Sequence, residues 1–410
     1  MKNILFIEPF LPYPMQSGGH QAVYNGLKVL NNEANLFLIY PEDGNRPNSA
    51  EVNELKSLIN NLTVLPYVVY YKHNKLLDLI YKIKYEVKKF LTGEVSHKND
   101  SFRYGDWLSQ LFPKDEQFIQ HINTVIETYH IDIVQSEFLE NLFLALTLPT
   151  GVKKIFVEHE IGFVRKALKL QEIHDSSSEG KANLLYNQIL EVSLLNKFDT
   201  IITLSSTDTQ KLIDAGVCAT IHTSFAIVNT SIVSLPKTNY HHCLSFVGPE
   251  WHPSNKAGLL WFLDNCWHSL LRRNPDYQLK VIGIWNQETI SILQKKYHNL
   301  TFCGFVPSLE VELKDTVMIV PITIGSGIRM KILEASAIGV PVVSTSVGIE
   351  GLPFATGKDC EIADTPDQFV KAIVSMDDER KRLSYITNAQ KIVTNSFSID
   401  SLKANRIALY

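Results

Sequence analysis

The sequence lacks most of the features that would set it apart from ordinary globular proteins. It has no Cys-x-x-Cys pair, and its five cysteines, Cys218, Cys243, Cys266, Cys303 and Cys360, are odd in number and widely spaced. That excludes a zinc-ribbon pattern and a disulfide framework. His241, His242 and His268 stand near cysteines, but no second cysteine pair completes a ligand set. The thiols read as buried side chains in a reducing compartment. No apolar run approaches the ~20 residues of a bilayer-spanning helix. The apolar start, Ile4 to Ile7, is broken by Glu8, Pro9 and Pro12 and reads as a strand rather than a signal peptide. A formal charge of −4 gives no general attraction for nucleic acid. The expectation is a cytoplasmic protein with no nucleic-acid partner, whose membrane contact, if any, is made from the surface.

What remains is a chain of 410 residues, 45% hydrophobic and 20% charged. It exceeds the roughly 250–300 residues over which one core stops growing, so two domains are expected. Strand-like runs at Asn3–Ile7, Leu36–Tyr40, Thr63–Tyr67, Asp132–Gln135, Lys154–Val157 and Thr200–Leu204 are separated by helical or loop lengths, as parallel sheets require. A second series follows at Leu244–Val247, Leu279–Ile282, Leu300–Phe302, Val317–Val320 and Pro341–Ser344, with a helical pattern from Leu259 to Leu271. The fold class is therefore α/β with two Rossmann-like domains, placed at 1–225 and 240–390. A hinge is expected between Ser224 and His241. A closing helix within 391–410, near Ile399–Ala408 with Ser398 as N-cap, can pack on either domain. Paired open α/β sheets bind ligands between the carboxyl ends of their strands.

The most informative stretch is Pro321-Ile-Thr-Ile-Gly-Ser-Gly-Ile-Arg-Met-Lys-Ile-Leu-Glu-Ala-Ser-Ala-Ile-Gly-Val-Pro-Val-Val-Ser-Thr345. A strand ends, the turn Gly325-Ser326-Gly327 lets backbone approach closely, and a helix begins with Arg329 and Lys331 in its first turn. Cations beside the positive end of a helix are unfavourable unless an anion joins them, and a diphosphate suits the site. One turn on, Glu334 can accept hydrogen bonds from a ribose diol. The alternative is a surface pair of Lys331 and Glu334 at i, i+3 spacing.

This stretch resembles the donor-site motif of GT-B fold glycosyltransferases of family 4 type. Ser245-Phe-Val-Gly-Pro-Glu-Trp-His-Pro-Ser-Asn255, Val281-Ile-Gly283, Phe302-Cys-Gly-Phe-Val-Pro307 and Val347-Gly-Ile-Glu-Gly-Leu352 follow the same branch in order. In the first domain, Pro12–His20 resembles the family's first strand-to-helix loop, and Val157-Glu-His-Glu-Ile161 resembles the segment that contributes a cleft histidine. The resemblance implies a GT-B architecture with an interdomain cleft and a nucleotide-diphosphate sugar, UDP- or GDP-linked, held mainly by the second domain. By position, Arg329 and Lys331 neutralise the diphosphate and Glu334 binds the ribose. The Gly304-Phe305-Val306 backbone meets the base, Gly18 and Gly19 let the first domain close over the phosphates, and His159 lies near the sugar. Arg329, Lys331 and His159 are the catalytic candidates, with a histidine merely packed against a strand as the other reading of His159. The implied acceptor is a glycan, a lipid-linked glycan or a small molecule.

Two positions depart from the family pattern. Ser326 stands eight residues before Glu334, where many members have a carboxylate, and Pro249 follows Gly248, with Lys256 later than the usual phosphate lysine. No Asp-x-Asp occurs in the chain, so metal-free stabilisation of the leaving diphosphate is expected. The resemblance also implies retention of configuration, with the leaving phosphate as base. Lys72 to Phe90 alternates lysines and apolar residues at spacings of three and four; it fits either a helix on an anionic membrane at the inner face or an ordinary helix packed on the core. A sugar-nucleotide epimerase or hydrolase, or a non-catalytic sugar-nucleotide-binding subunit, are the competing functions.

Overall fold

A computed structural model describes residues 1–15, 17–69, 115–172, 175–225, 227–228, 239–325 and 327–410. The basic stretch 72–90, Ser326 and most of the expected hinge lie outside these residues.

The first domain is built on strands β1 (Asn3–Ile7), β2 (Asn35–Ile39), β3 (Pro41–Asp43), β4 (Leu62–Val64), β5 (Tyr67–Val69), β6 (Ile133–Glu137), β7 (Lys153–Glu158), β8 (Thr200–Thr203) and β9 (Thr220–Thr223). Seven of them form one sheet in the order β4-β2-β1-β6-β7-β8-β9, every pair parallel. Ile4, Leu5, Phe6 and Ile7 are wholly buried, as a strand covered on both faces demands. The single strand expected over Thr63–Tyr67 is instead split: β4 joins the main sheet, and β5 pairs with β3. Pro66 explains the break, because it brings no N–H to a ladder. After β1, helix α1 (Gly18–Val29) starts at Ser17, whose side chain accepts from His20 N–H, and its Val23 and Leu27 reach the core. Helices α2 (Gly162–Glu172) and α3 (Ser178–Leu195) follow β7.

The second domain carries β10 (Cys243–Val247), β11 (Gln278–Ile282), β12 (Leu300–Gly304), β13 (Val317–Val320), β14 (Val342–Ser344) and β15 (Glu361–Ile362), parallel in the order β12-β11-β10-β13-β14-β15. Helix α4 (Pro253–Phe262), with proline at its first turn, follows β10, and helix α5 (Met330–Ile338) joins β13 to β14. Gly339 ends α5 at φ +89°, a left-handed conformation that glycine adopts without strain. Both sheets present their strand ends and following loops to each other.

The chain then returns. Helix α6 (Glu379–Ser396) packs on α5, and α7 (Ile399–Arg406), capped by Ser398, packs on α1 of the first domain. The closing helix expected near Ile399–Ala408 with Ser398 as N-cap is α7, and residue 391, where the C-terminal segment was placed, lies inside α6. Beyond α7, Leu409 and Tyr410 enter the core of the first domain. Arg406 Nε donates to Ser224 Oγ at 3.0 Å, and Lys403 pairs with Glu33 at 2.6 Å.

Candidate active site

The loop after β13 brings the cations together. Gly325 and Gly327 have φ of +138° and +81°, so the turn needs residues that tolerate the left-handed region. The helix starts one residue later than expected: Arg329 is the N-cap of α5 rather than part of its first turn. Its guanidinium donates to Gly327 O at 2.6 Å. Lys331 turns back under β10, donating to Val247 O and, at 2.7 Å, to Asn255 Oδ1 of α4. Burial, reinforced by Arg329, brings the Lys331 ammonium down to about 7. Arg329 is likewise lowered by burial, against the pull of Glu160, Glu350 and Asp208. Two cations are therefore held where each raises the cost of the other, an arrangement that favours a bound anion.

Lys331 and Glu334 do not form the alternative surface pair. Glu334 instead accepts a hydrogen bond at 2.8 Å from Gln21 of α1, in the other domain. Burial raises the Glu334 carboxyl, while Gln21 and Lys331 oppose the rise. Other contacts converge on the same region. A Cβ added at Gly18 would lie 3.1 Å from Met330 Cγ, and one at Gly327 would lie 3.3 Å from His159 O. Lys211 of the first domain pairs with Glu350 of the second at 2.8 Å. The start of α5 thus sits against the first domain.

On the first domain's side lie aromatic rings and acids. His159 Nε2 is 2.6 Å from Glu137 Oε2, and its ring stacks on Phe138 with centroids 4.0 Å apart. Phe138 itself has φ +67°, which a side chain of this size rarely adopts, so the backbone is strained where the ring is presented. Phe10 bridges Phe138 to His20, whose Nδ1 is 2.7 Å from Ser17 Oγ. A Cβ at Gly19 would meet Phe138 at 3.1 Å. Glu158, the neighbour of His159, points to the opposite face and is fully buried. Burial and then Glu191 push its carboxyl well up. Glu191 accepts from Gly162 and Phe163 N–H, both at 2.8 Å, and thereby caps α2; burial raises it to about 7. Glu160 faces Arg165 at 3.0 Å.

The remaining candidates are more dispersed. Gly304, at φ +67°, ends β12 with its carbonyl taken by Gly283 N–H. Phe305 is 74% exposed, and Val306 packs on the second core. Lys256 pairs with Glu250 at 2.7 Å and takes no part in the Lys331 cluster. Sequence reasoning missed Gln21, Asn255, Glu137 and Glu8. Asn255 lay inside a quoted motif, whereas the other three carry no local signature. A cleft of about 430 Å³ lined by Asn123, Glu127 and Gly151 lies at the amino ends of the first sheet's strands. That is the end of an open α/β sheet opposite to where ligands bind. Among the described residues, no group of three or more histidine, cysteine or acidic residues could hold a metal ion, and no helix is long and apolar enough to cross a membrane.

Comparison with solved structures decides the architecture. Sucrose-phosphate synthase of Thermosynechococcus elongatus superposes with a TM-score of 0.70 at 14% identity, covering 100% of this chain and 98% of that one. HepE of Anabaena in complex with UDP gives 0.67 at 14% identity, covering 100% and 99%. The fold is GT-B. Residues 241–378 match the family model Glycosyl transferases group 1, which covers most of the second domain, including Arg329, Lys331 and Glu334. An uncharacterized 44.6 kDa protein in the cps region of Klebsiella pneumoniae is 23% identical over 97% of this chain and 95% of its own length. Together these support a GT-B glycosyltransferase.

Proposed function

We propose that the protein moves a sugar from a nucleotide-diphosphate sugar, UDP- or GDP-linked, to a glycan, lipid-linked or small-molecule acceptor, with retention of configuration and without a metal. The observation that carries this reading is the Arg329–Lys331 pair at the start of α5, the end of the helix that sits against the first domain, with Glu334 one turn behind it. The second domain, 240–390, holds the donor, and the first, 1–225, receives the acceptor. When the anomeric C–O bond breaks, its electron pair stays with the diphosphate, where Arg329 and Lys331 stabilise the charge. The acceptor oxygen attacks from the face the diphosphate leaves, and its proton passes to a leaving phosphate oxygen. Glu334 exchanges Gln21 for the ribose diol. The glycine turn at Gly325, Ser326 and Gly327, together with Gly18 and Gly19, admits the phosphates. His159 lies by the sugar, and the backbone of Gly304, Phe305 and Val306 meets the base. Structures of HepE with UDP and with UDP-glucose support the uridine choice.

A thermal-shift panel of nucleoside diphosphates and their sugar conjugates identifies the donor, and transfer of labelled sugar to an acceptor tests the reaction. Free sugar alone marks a hydrolase, a changed sugar an epimerase, and no turnover a binding subunit. Activity unaltered by a chelator, and a product with the donor's anomeric configuration by NMR, test metal independence and retention. We place the protein at the inner face of the membrane through 72–90. Changing Lys82, Lys84, Lys88 and Lys89 to glutamine lowers binding to anionic vesicles; unchanged binding favours a helix packed on the core.

A further inference from the structure

At the carboxyl end of the first sheet, one face changes from apolar to acidic. Along β1 the side chains of Ile4 and Phe6 point to the same side as Glu8, and along β6 those of Ile133 and Gln135 point to the same side as Glu137. The parallel register pairs Ile7 with Ser136, so the next step sets Glu8 beside Glu137. Glu137 in turn holds His159 Nε2 at 2.6 Å and accepts from Gln135 Nε2. Glu8 is wholly buried, and neither of its carboxyl oxygens has a hydrogen-bond partner among the described residues. Buried polar atoms are almost always paired, so this exception calls for an explanation.

The surroundings of Glu8 leave one. On the β2 side its neighbour is Tyr40, whose hydroxyl donates to Glu42 Oε1 at 2.9 Å. His20, on α1, is engaged with Ser17 and stacked on Phe10. On the β6 side stands Glu137, and beyond it Gln135, which accepts from the Tyr410 hydroxyl near Arg406. No cation reaches Glu8 from these elements. Burial and then Glu137 push its carboxyl well above the usual range. Two adjacent carboxyls in a dry site keep a proton, and a protonated carboxyl is a donor.

We propose that Glu8 is a positioning residue: protonated, its carboxyl turns to donate its O–H to the adjacent Glu137, which holds His159 with Nε2–H toward it, so that Nδ1 is presented to the sugar or acceptor. The kinetic consequence rests on the glycosyl-transfer reading above. The proton on Glu8 does not.

Two measurements test the inference. In the first, kcat and KM are measured against pH for the wild type, Glu8→Gln and Glu8→Leu. Glutamine keeps a donor, so it rescues kcat at neutral pH and removes the alkaline fall that ionisation of Glu8 imposes on the wild type. Leucine lowers kcat about tenfold or more, the scale of a lost hydrogen bond to a charged group, with little change in donor KM. A purely structural Glu8 gives the same pH profile in wild type and Glu8→Gln, which overturns the proposal. In the second, the infrared C=O stretch of protonated carboxyls is compared between wild type and Glu8→Gln at neutral pH. Loss of one carboxyl's intensity supports the proposal, and an unchanged band overturns it. A wild-type protein that turns over no sugar nucleotide refutes the proposed function, while the infrared band still decides the state of Glu8.

Discussion

Lys331 offers the sharpest test of the donor site. Burial and the nearby Arg329 bring its ammonium from an ordinary 10.5 down to about 7 in the ligand-free protein. At pH 8 about nine-tenths of the molecules therefore carry neutral Lys331. A diphosphate placed against it favours the charged form, so binding must draw a proton from solvent, up to about 0.9 per ligand at that pH. A terminal phosphate, which titrates near 6, is already ionised at pH 8 and contributes little. The sign follows: affinity is greatest below pH 7, where Lys331 is charged before binding, and falls toward about tenfold per pH unit above it. Calorimetry with a nucleoside diphosphate in buffers of different ionisation enthalpy reads the proton count directly. Lys331→Met abolishes the uptake, and at pH 7 Lys331→Ala weakens binding by about 1.5–3 kcal/mol, roughly ten- to a hundredfold. No proton uptake by the wild type, or equal affinity in a folded Lys331→Ala variant, refutes the assignment.

Three further outcomes are expected. Gln21→Ala frees Glu334 for the ribose and tightens nucleotide binding a few-fold, about the net value of one hydrogen bond, whereas Glu334→Ala weakens it; calorimetry that finds the same sign for both contradicts the exchange. Gly18→Leu pushes on Met330, so turnover falls about a hundredfold through misplacement of the reacting groups while the melting temperature holds; unimpaired turnover argues against close approach there. For Glu191, raised from 4.5 to about 7, the unfolded chain ionises first. Stability therefore declines as pH rises from about 4.5 through about 7, by on the order of 3 kcal/mol for this group. Denaturant melts of Glu191→Gln should show a flatter dependence across that window, and an identical slope would refute the assignment.

The strands were legible because parallel sheets bury both faces, which turns each strand into a short apolar run such as Ile4–Ile7 or Val317–Val320. Thr63–Tyr67 misled because an apolar run does not show which sheet edge it joins, and Pro66 decided that. Arg329, Lys331 and Glu334 were legible as a group since one turn and one helix carry them all. Glu8 and Glu137 were not, because they meet only through strand register across 129 positions of sequence. Gln21 likewise gains meaning only when α1 meets α5, and Asn255 only when α4 lies beside α5. Local spacing encodes what a single element carries, whereas contacts between elements depend on topology.

The return of the chain to the first domain bears on how the lobes part. The polypeptide passes between them twice, and the passages touch: Val228 N–H donates to Phe397 O at 3.1 Å. Adjacent tethers act as one pivot, which permits swinging and resists sliding. Displacement in such a swing grows with distance from the fulcrum, so a few degrees at Val228 translate into ångströms at the far rim, where substrates must enter and leave.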